Sequence, residues 1–437
     1  MSLSYQQILA LAPDDASAKA GVQLANPAKW LLKAAHPQAL WGECQGSGST
    51  PYKTYIDLTN VAFKCSCPSR KFPCKHGLGL FLLHANKPGD FAEQATLPPE
   101  VEEWLGKRAA KTEAKEQKVA KPVDEASQQK RVDARETKIS RGIEELKTWL
   151  QDVARTGIMN VPQDLYQFNA NIIARMNDAQ ATGLAYQLRK MNQLNFYQDG
   201  WQKDLTRLLA RTYALADAYT RREQFDEPLR EDLASLIGWK KSREEVLQQP
   251  AVRDQWLTVA KWSVQEDALT AETTWFFGRQ SGRFALLLNY FAWGQRPTDL
   301  WVVGNVLDAE MAYYPGTYPF RALVKTQAQQ APAANFPLVG LESLEALKDQ
   351  VAEVLAVAPF SEQLPFMLGG LRLAIQGQQY YLVDQHAKAL PLANGPAVGW
   401  QVAALTKGRA FTSFVTYDNG QLTVRTLWDG NKIFTFA

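Results

Sequence analysis

Two apolar periodicities divide the chain. From Ile143 the spacing Ile143, Leu146, Leu150, Val153 places one apolar residue per helical turn. The pattern resumes after Pro162, read as a first-turn proline, with Leu165, Phe168, Ile172 and Met176. Trp201, Leu205, Leu208, Leu209 and Leu215 extend it into a further helix. Residues 138–250 are therefore expected to form an α-helical domain, one apolar stripe inside and a solvated face outside.

After Pro250 the period changes. Trp256–Trp262, Thr273–Phe277 and Phe284–Phe291 are short runs rich in aromatic and β-branched residues, and the Gln280–Arg283 stretch suits a hairpin turn. One amphipathic helix, marked by Leu341, Leu344, Leu347, Val351 and Leu355, precedes a second group of strands at 371–375, 380–383, 411–417 and 422–427. Asp418-Asn-Gly420 is a turn signal between the last two. Region 251–437 is expected to be mixed and mainly antiparallel β, with a small barrel or sheet as the first guess and a division into 251–340 and 341–437 left open.

The N-terminal pattern is shorter. Tyr5, Ile8 and Leu9 begin an amphipathic start, and Asn26–Leu32 and a Gly-Ser turn at Gly46–Ser49 follow. That turn lacks the Lys and the following helix a phosphate loop requires. Thr54–Leu58 and Val61–Phe63 read as a hairpin turning near Thr59-Asn60. The apolar run Lys75–His84 is expected to be helical despite its glycines, and Pro88-Gly89 closes a module spanning 1–90. Between 106 and 147, twelve basic and eight acidic residues with few large apolar ones mark a charged linker or exposed helix, assigned to 91–137 and interrupted at Pro122. The fold class expected is thus α+β multidomain: a small β-hairpin/helix N-terminal module, an α-helical middle domain and a mixed, mainly antiparallel β C-terminal half.

Composition sets outer bounds. A chain of 437 residues exceeds one hydrophobic core, and 46% hydrophobic with 21% charged residues is ordinary for a globular protein. A net charge of +3 does not by itself imply a nucleic-acid partner. The apolar runs are too short for a membrane span and the start lacks signal-peptide features, so a cytoplasmic location is expected.

The chemistry concentrates at one place. Of four cysteines and four histidines in the chain, Cys65, Cys67, Cys74 and His76 fall within twelve residues as Cys-x-Cys-x6-Cys-x-His. Three thiols and an imidazole complete a tetrahedral zinc set. Cys65 and Cys67, two apart on an extended strand, present both thiols to one side. Cys74 and His76 sit at the expected helix start, where the backbone dipole favours a thiolate.

With three thiolates and a neutral imidazole, the zinc centre carries −1. Lys64, Arg70, Lys71 and Lys75 surround it with +4, and no acid lies between Asp57 and Asp90. These cations either lower the thiol pKa values or face a partner or phosphate. Because protein fills every coordination position, one structural Zn²⁺ is expected, with no water to activate. Cys44 is read as a small buried thiol.

This run, with Trp41–Gly48 and Pro51-Tyr52, resembles the bacterial SWIM zinc finger family proteins, the finger occupying about 52–86. Further likenesses fall at Ala174–Leu184 and Tyr313–Leu323. The resemblance implies zinc binding with protein or nucleic-acid recognition. By family analogy it also implies MoxR-type AAA+ ATPases and von Willebrand A-domain proteins as partners.

Nucleophile elbows, nucleotide loops and the His-Glu-x-x-His pattern do not occur. Asp384, His386, His36 and His84 read as structural, and Trp256, Trp262 and Trp275 as core rather than base-stacking platforms. The sequence-level conclusion is a zinc-binding, non-enzymatic interaction protein, with DNA or other nucleic-acid binding through the basic residues as the alternative.

Overall fold

The computed structural model describes residues 3, 5–9, 11–46, 50–59, 61–69, 71–116, 125–163, 165–266, 269–292, 300–327, 330–333, 336–338, 340–430 and 432–436. The expectations placed on Asn60, Arg70, Pro122 and most of the Gly46–Ser49 turn lie outside these residues.

Near the N-terminus, α1 (Tyr5–Leu9) and α2 (Asp15–Leu24) precede β1 (Trp30–His36), β2 (Ala39–Cys44), β3 (Tyr52–Asp57) and β4 (Ala62–Cys65). Asp14 caps α2 by accepting the Ser17 amide at 2.7 Å. Next come α3 (Lys75–Asn86), β5 (Ala92–Glu93) and α4 (Pro99–Glu116). The sheet order is β4-β3-β2-β1-β5, antiparallel except where β5 runs parallel to β1.

Trp30, Leu40, Ile56 and Phe63 share one core with Leu78, Leu80, Leu82 and Leu83 of α3. The α3 glycines allow this seating: a Cβ on Gly77 would lie 2.8 Å from the Phe63 ring, and one on Gly79 2.6 Å from Leu24. The other sheet face carries Trp41 and Tyr55, which pack with Val101, Trp104 and Leu105 of α4. The module therefore does not close at Pro88-Gly89 as its turn residues suggested. Sparse apolar residues after Phe91 hid a helix whose Val101, Trp104 and Leu105 cover the sheet.

Five helices make the middle unit: α5 (Glu125–Thr156), α6 (Leu165–Asp178), α7 (Thr182–Met191), α8 (Trp201–Thr220) and α9 (Glu227–Ile237), followed by the short α10 (Arg243–Leu247). Ile143, Leu146, Leu150, Val153, Ile172, Met176, Leu205 and Leu215 are all in its core, as the helical period requires. Pro162 lies in a 3-10 turn ahead of α6 instead of in its first turn. The bundle also starts before residue 138, because Arg135 stacks over Trp239 at 4.9 Å and donates to the Gly238 carbonyl.

The C-terminal half holds two open sheets and no closed barrel among the described residues. The first contains β6 (Ala251–Glu266), β7 (Leu269–Gly278), β8 (Phe284–Ala292), β9 (Asn305–Tyr313), β10 (Ala322–Gln327) and β11 (Ala331–Pro332), in the order β10-β9-β6-β7-β8 with β11 on β9. After α11 (Leu344–Val357) come β12 (Leu364–Gln376), β13 (Gln379–Val383), β14 (Ala389–Pro391), α12 (Gly395–Thr406), β15 (Phe411–Asp418), β16 (Gln421–Asp429) and β17 (Lys432–Thr435). They form the sheet β14-β13-β12-β15-β16-β17.

Alternation along β12 explains how the layers stack. Phe366 and Leu368 face Leu347, Val351, Val398 and Val402 of the two helices. Met367 points the other way, joining Phe414 and Trp428 against Leu257, Val259 and Trp275 of the first sheet.

The zinc module is joined to this half through Leu300 and Val302, which are buried in the module's own core. Gln330, 2% exposed, holds that stretch by donating to the Leu300 carbonyl at 3.0 Å and accepting the Val302 amide at 3.3 Å. On the bundle side, Lys190 and Arg211 pair with Glu362, and Asp232 accepts the Thr317 amide at 2.9 Å.

Candidate metal centre

The hairpin of β3 and β4 sets the first half of the site. Asp57 pairs with Ala62 across the turn, so the ladder places Thr54 opposite Cys65. Ser66 prolongs the pairing, its amide donating to the Lys53 carbonyl and its hydroxyl accepting the Lys53 amide, each at 3.0 Å. Cys67 follows as the chain leaves the ladder.

Cys74 and His76 form the second half. Cys74 is the N-cap of α3, with extended dihedrals and its carbonyl accepting the Leu78 amide at 3.0 Å. Its side chain makes no cap hydrogen bond to the helix backbone, which leaves the sulfur for the site. His76 is buried in the first turn, and its ring lies 4.9 Å from that of Tyr52.

The donor atoms of Cys65, Cys67, Cys74 and His76 all lie within 4.8 Å of one another. Zinc bonds of about 2.3 Å to sulfur and 2.0–2.1 Å to nitrogen put tetrahedral ligands roughly 3.5–3.8 Å apart. The 3.8 Å from Cys65 Sγ to His76 Nδ1 meets that requirement. The donor set therefore fits zinc: three soft sulfurs and a ring nitrogen, drawn from a strand, a loop and a helix.

Proton affinities within the cluster follow from its crowding. Hydrogen bonds from Cys65 and then Cys74 hold the Cys67 thiol far below its ordinary value. The Cys74 thiol is pushed up by Cys65, Cys67 and burial. For His76, burial acts to lower the value, but the neighbouring sulfurs raise it to about 9. Zinc held by Cys65, Cys67, Cys74 and His76 would take the three sulfurs as thiolates and the ring as a neutral imidazole.

Two supporting side chains escaped the sequence reading. The Thr54 hydroxyl lies 3.3 Å from Cys65 Sγ, fully buried, and Tyr52 flanks His76. The hairpin register carried the signal for Thr54, because a turn centred between Asp57 and Ala62 fixes which residue faces Cys65.

The basic residues are less free than the sequence suggested. Lys71 pairs with Asp14 at 2.7 Å. Lys64 lies over the Tyr55 ring at 5.4 Å. Glu100 binds Lys53 at 3.0 Å and accepts from the Tyr55 hydroxyl at 2.5 Å. Lys75 is exposed in the first turn of α3, and Arg70 lies outside the described residues. Acids far away in sequence, on α2 and α4, thus reach the cationic shell.

Cys44 is fully buried in the module core, its thiol raised by burial, and is not among the clustered donors. Asp384 accepts the amides of Leu344, His386 and Lys388 at 2.8–2.9 Å, anchoring the start of α11. His84 packs edge-on against Phe91, and burial lowers its pKa. Trp256 and Trp275 are buried, whereas Trp262 is half-buried under the Arg425 guanidinium at 4.1 Å.

Comparison with known families agrees with this geometry at two places. Residues 52–85 match the SWIM zinc finger, and residues 134–237 match the SWIM-associated four-helix bundle domain. No curated protein and no solved structure matches the chain significantly. The Cys3His site thus lies in a segment that matches a zinc finger by sequence as well as by its donor geometry, and the helical unit matches the bundle associated with such fingers. No described helix is long and apolar enough to cross a membrane.

Proposed function

We propose that this is a non-enzymatic interaction protein whose structural zinc holds the N-terminal module in shape for recognition of protein partners. The observation that carries the reading is the closure of the site: four protein donors within 4.8 Å of one another supply the full tetrahedral set. Zinc held so contributes cross-linking and folding free energy, with its Lewis acidity satisfied by the protein. The partners implied by the family resemblance are MoxR-type AAA+ ATPases and von Willebrand A-domain proteins.

Protein recognition is favoured over nucleic acid by the acids set among the cations. Phosphate binding draws on uncompensated positive charge, whereas Lys71 and Lys53 are paired with acids and Lys64 lies over the Tyr55 ring. Affinity purification of the tagged chain from native lysate, compared with a Cys65→Ser/Cys74→Ser control, tests the reading. Specific partners lost from the control support it, and recovery of none above background counts against it. In parallel, salt-sensitive binding of a DNA duplex that is abolished by Lys64→Glu/Lys75→Glu would establish the nucleic-acid alternative instead.

A further inference from the structure

The helix α12 breaks the rule that a surface helix is polar outside. Gly395–Thr406 contains no charged residue. Val398 and Val402 are buried against the second C-terminal sheet, which accounts for the inner face. The outer stripe at helical spacing is Ala397, Trp400 and Ala404, all exposed, with Trp400 at 62%. Gln401 is the polar side chain exposed beside this stripe, and the large aromatic next to it stays open to a partner.

Trp400 is held for contact. A Cβ on Gly399 would lie 2.4 Å from the Tyr380 ring, so the glycine lets α12 seat directly on that ring. Trp400 then meets Tyr380 edge-to-face with centroids 6.2 Å apart. Ile375, cross-strand partner of Tyr380, extends the apolar surface at 48% exposure. One large aromatic between two alanines gives a close-approach stripe with a single anchor, the form that buried Trp hot spots take at interfaces.

The charges around the stripe identify what covers it. From Gln385 to Tyr417 the chain contains no Asp or Glu. Lys407 ends the exposed stripe, and Arg372 is tied beside it by a hydrogen bond to the Gly408 carbonyl at 3.2 Å. Among the described residues neither cation pairs with a carboxylate. A second copy would bring the same cations against these, which opposes self-association through this face. A lipid surface would call for several large apolar residues in a row, and here there is one between alanines.

We infer that the α12 face, Ala397-Trp400-Ala404 with Lys407 and Arg372 at its rim, docks an amphipathic helical segment of a partner protein carrying acidic residues beside its apolar face. This rests on the reading of the chain as an interaction protein and adds a recognition surface remote in sequence from the zinc finger. Trp400 fills the partner's apolar groove, the alanines permit close approach, and the two cations select acidic flanks.

The test uses the full chain and three synthetic amphipathic helical peptides with one common apolar face and Glu, Gln or Lys flanks, read by fluorescence anisotropy. The Glu peptide is expected to bind at least about tenfold tighter than the Gln peptide, and more weakly as salt rises. Trp400→Ala is expected to weaken it by about 30-fold and Lys407→Glu by about three- to tenfold, with circular dichroism and zinc content unchanged.

Equal binding of the three peptides, no binding of the Glu peptide, or full retention by Trp400→Ala overturns the inference. So does concentration-dependent dimerisation or binding to anionic phosphatidylglycerol vesicles that Trp400→Ala abolishes, since another occupant then owns the face. If the peptide test fails while partners captured through the zinc module persist in Trp400→Ala, only this inference falls. If neither is seen, the interaction reading falls with it.

Discussion

Replacing Cys74 by serine separates the zinc's contribution from every other role of that position. Serine is nearly isosteric and a better N-cap than cysteine, and Cys74 makes no side-chain cap bond to α3 in the native chain. If the residue were merely a small buried helix start, Cys74→Ser would stabilise the module by about 0.5–1 kcal/mol through the new cap. If it is a zinc ligand, the balance reverses. Structural zinc sites bind with about 10–16 kcal/mol, so one ligand in four accounts for roughly 2.5–4 kcal/mol, or about 100- to 1,000-fold in affinity.

That loss falls on a specific body of structure. Zinc ties β4 and the following loop to the start of α3, whose Leu78, Leu80, Leu82 and Leu83 are fully buried in the module core. Freeing the helix start exposes this core, and metal loss should appear as unfolding of the N-terminal unit. The assay is zinc content by elemental analysis after dialysis against chelators of graded strength, followed by thermal melts with and without a chelator. The expected result is zinc withdrawn at about 100- to 1,000-fold lower chelator strength than from the native chain, with an earlier N-terminal transition; unchanged chelator sensitivity, or a melt at or above that of the native chain, would refute the ligand assignment.

Three further outcomes follow from the geometry. Thr54→Val removes the hydroxyl 3.3 Å from Cys65 Sγ and should weaken zinc about tenfold in a chromophoric chelator competition; an unchanged affinity would deny Thr54 its supporting role. Gln330→Ala leaves the Leu300 carbonyl and the Val302 amide unpaired inside the module junction, at a cost of about 2–4 kcal/mol in urea unfolding, and a change below about 0.5 kcal/mol would contradict the clamp. Burial raises the Asp232 pKa despite the Thr317 hydrogen bond, so its contribution to stability is full below the unfolded value and is lost as pH rises through the folded one. Asp232→Asn keeps an acceptor without the charge and should therefore be more stable than the native chain at pH 7, the gap closing toward acid; a less stable variant at pH 7 would reverse the sign of the argument.

Much of the site was legible because it is local. The ligands lie within twelve residues, on elements whose ends are set by the hairpin register and by the helix that Cys74 caps. The bundle was legible for a similar reason, since Ile143 to Val153 repeat one apolar face inside one helix. What escaped depends on chain segments far apart in sequence. Asp14 reaches Lys71 only once α2 lies beside the finger, and Glu100 reaches Tyr55 only once α4 crosses the sheet. Likewise β9 (Asn305–Tyr313) is a strand by virtue of its place between β6 and β10, and Leu300 and Val302 belong to a core whose other members lie before residue 92. The helix α12 drew no assignment from the sequence, because it lacks the charged residues that mark a surface helix.

Cys65, Cys67, Cys74 and His76 together make a closed zinc centre. Zinc K-edge absorption of the purified chain tests it most directly. Three sulfurs at about 2.3 Å and one nitrogen at about 2.0–2.1 Å, with no bound water, are expected. A shell with fewer than three sulfurs, or one with an exchangeable oxygen ligand, would contradict it.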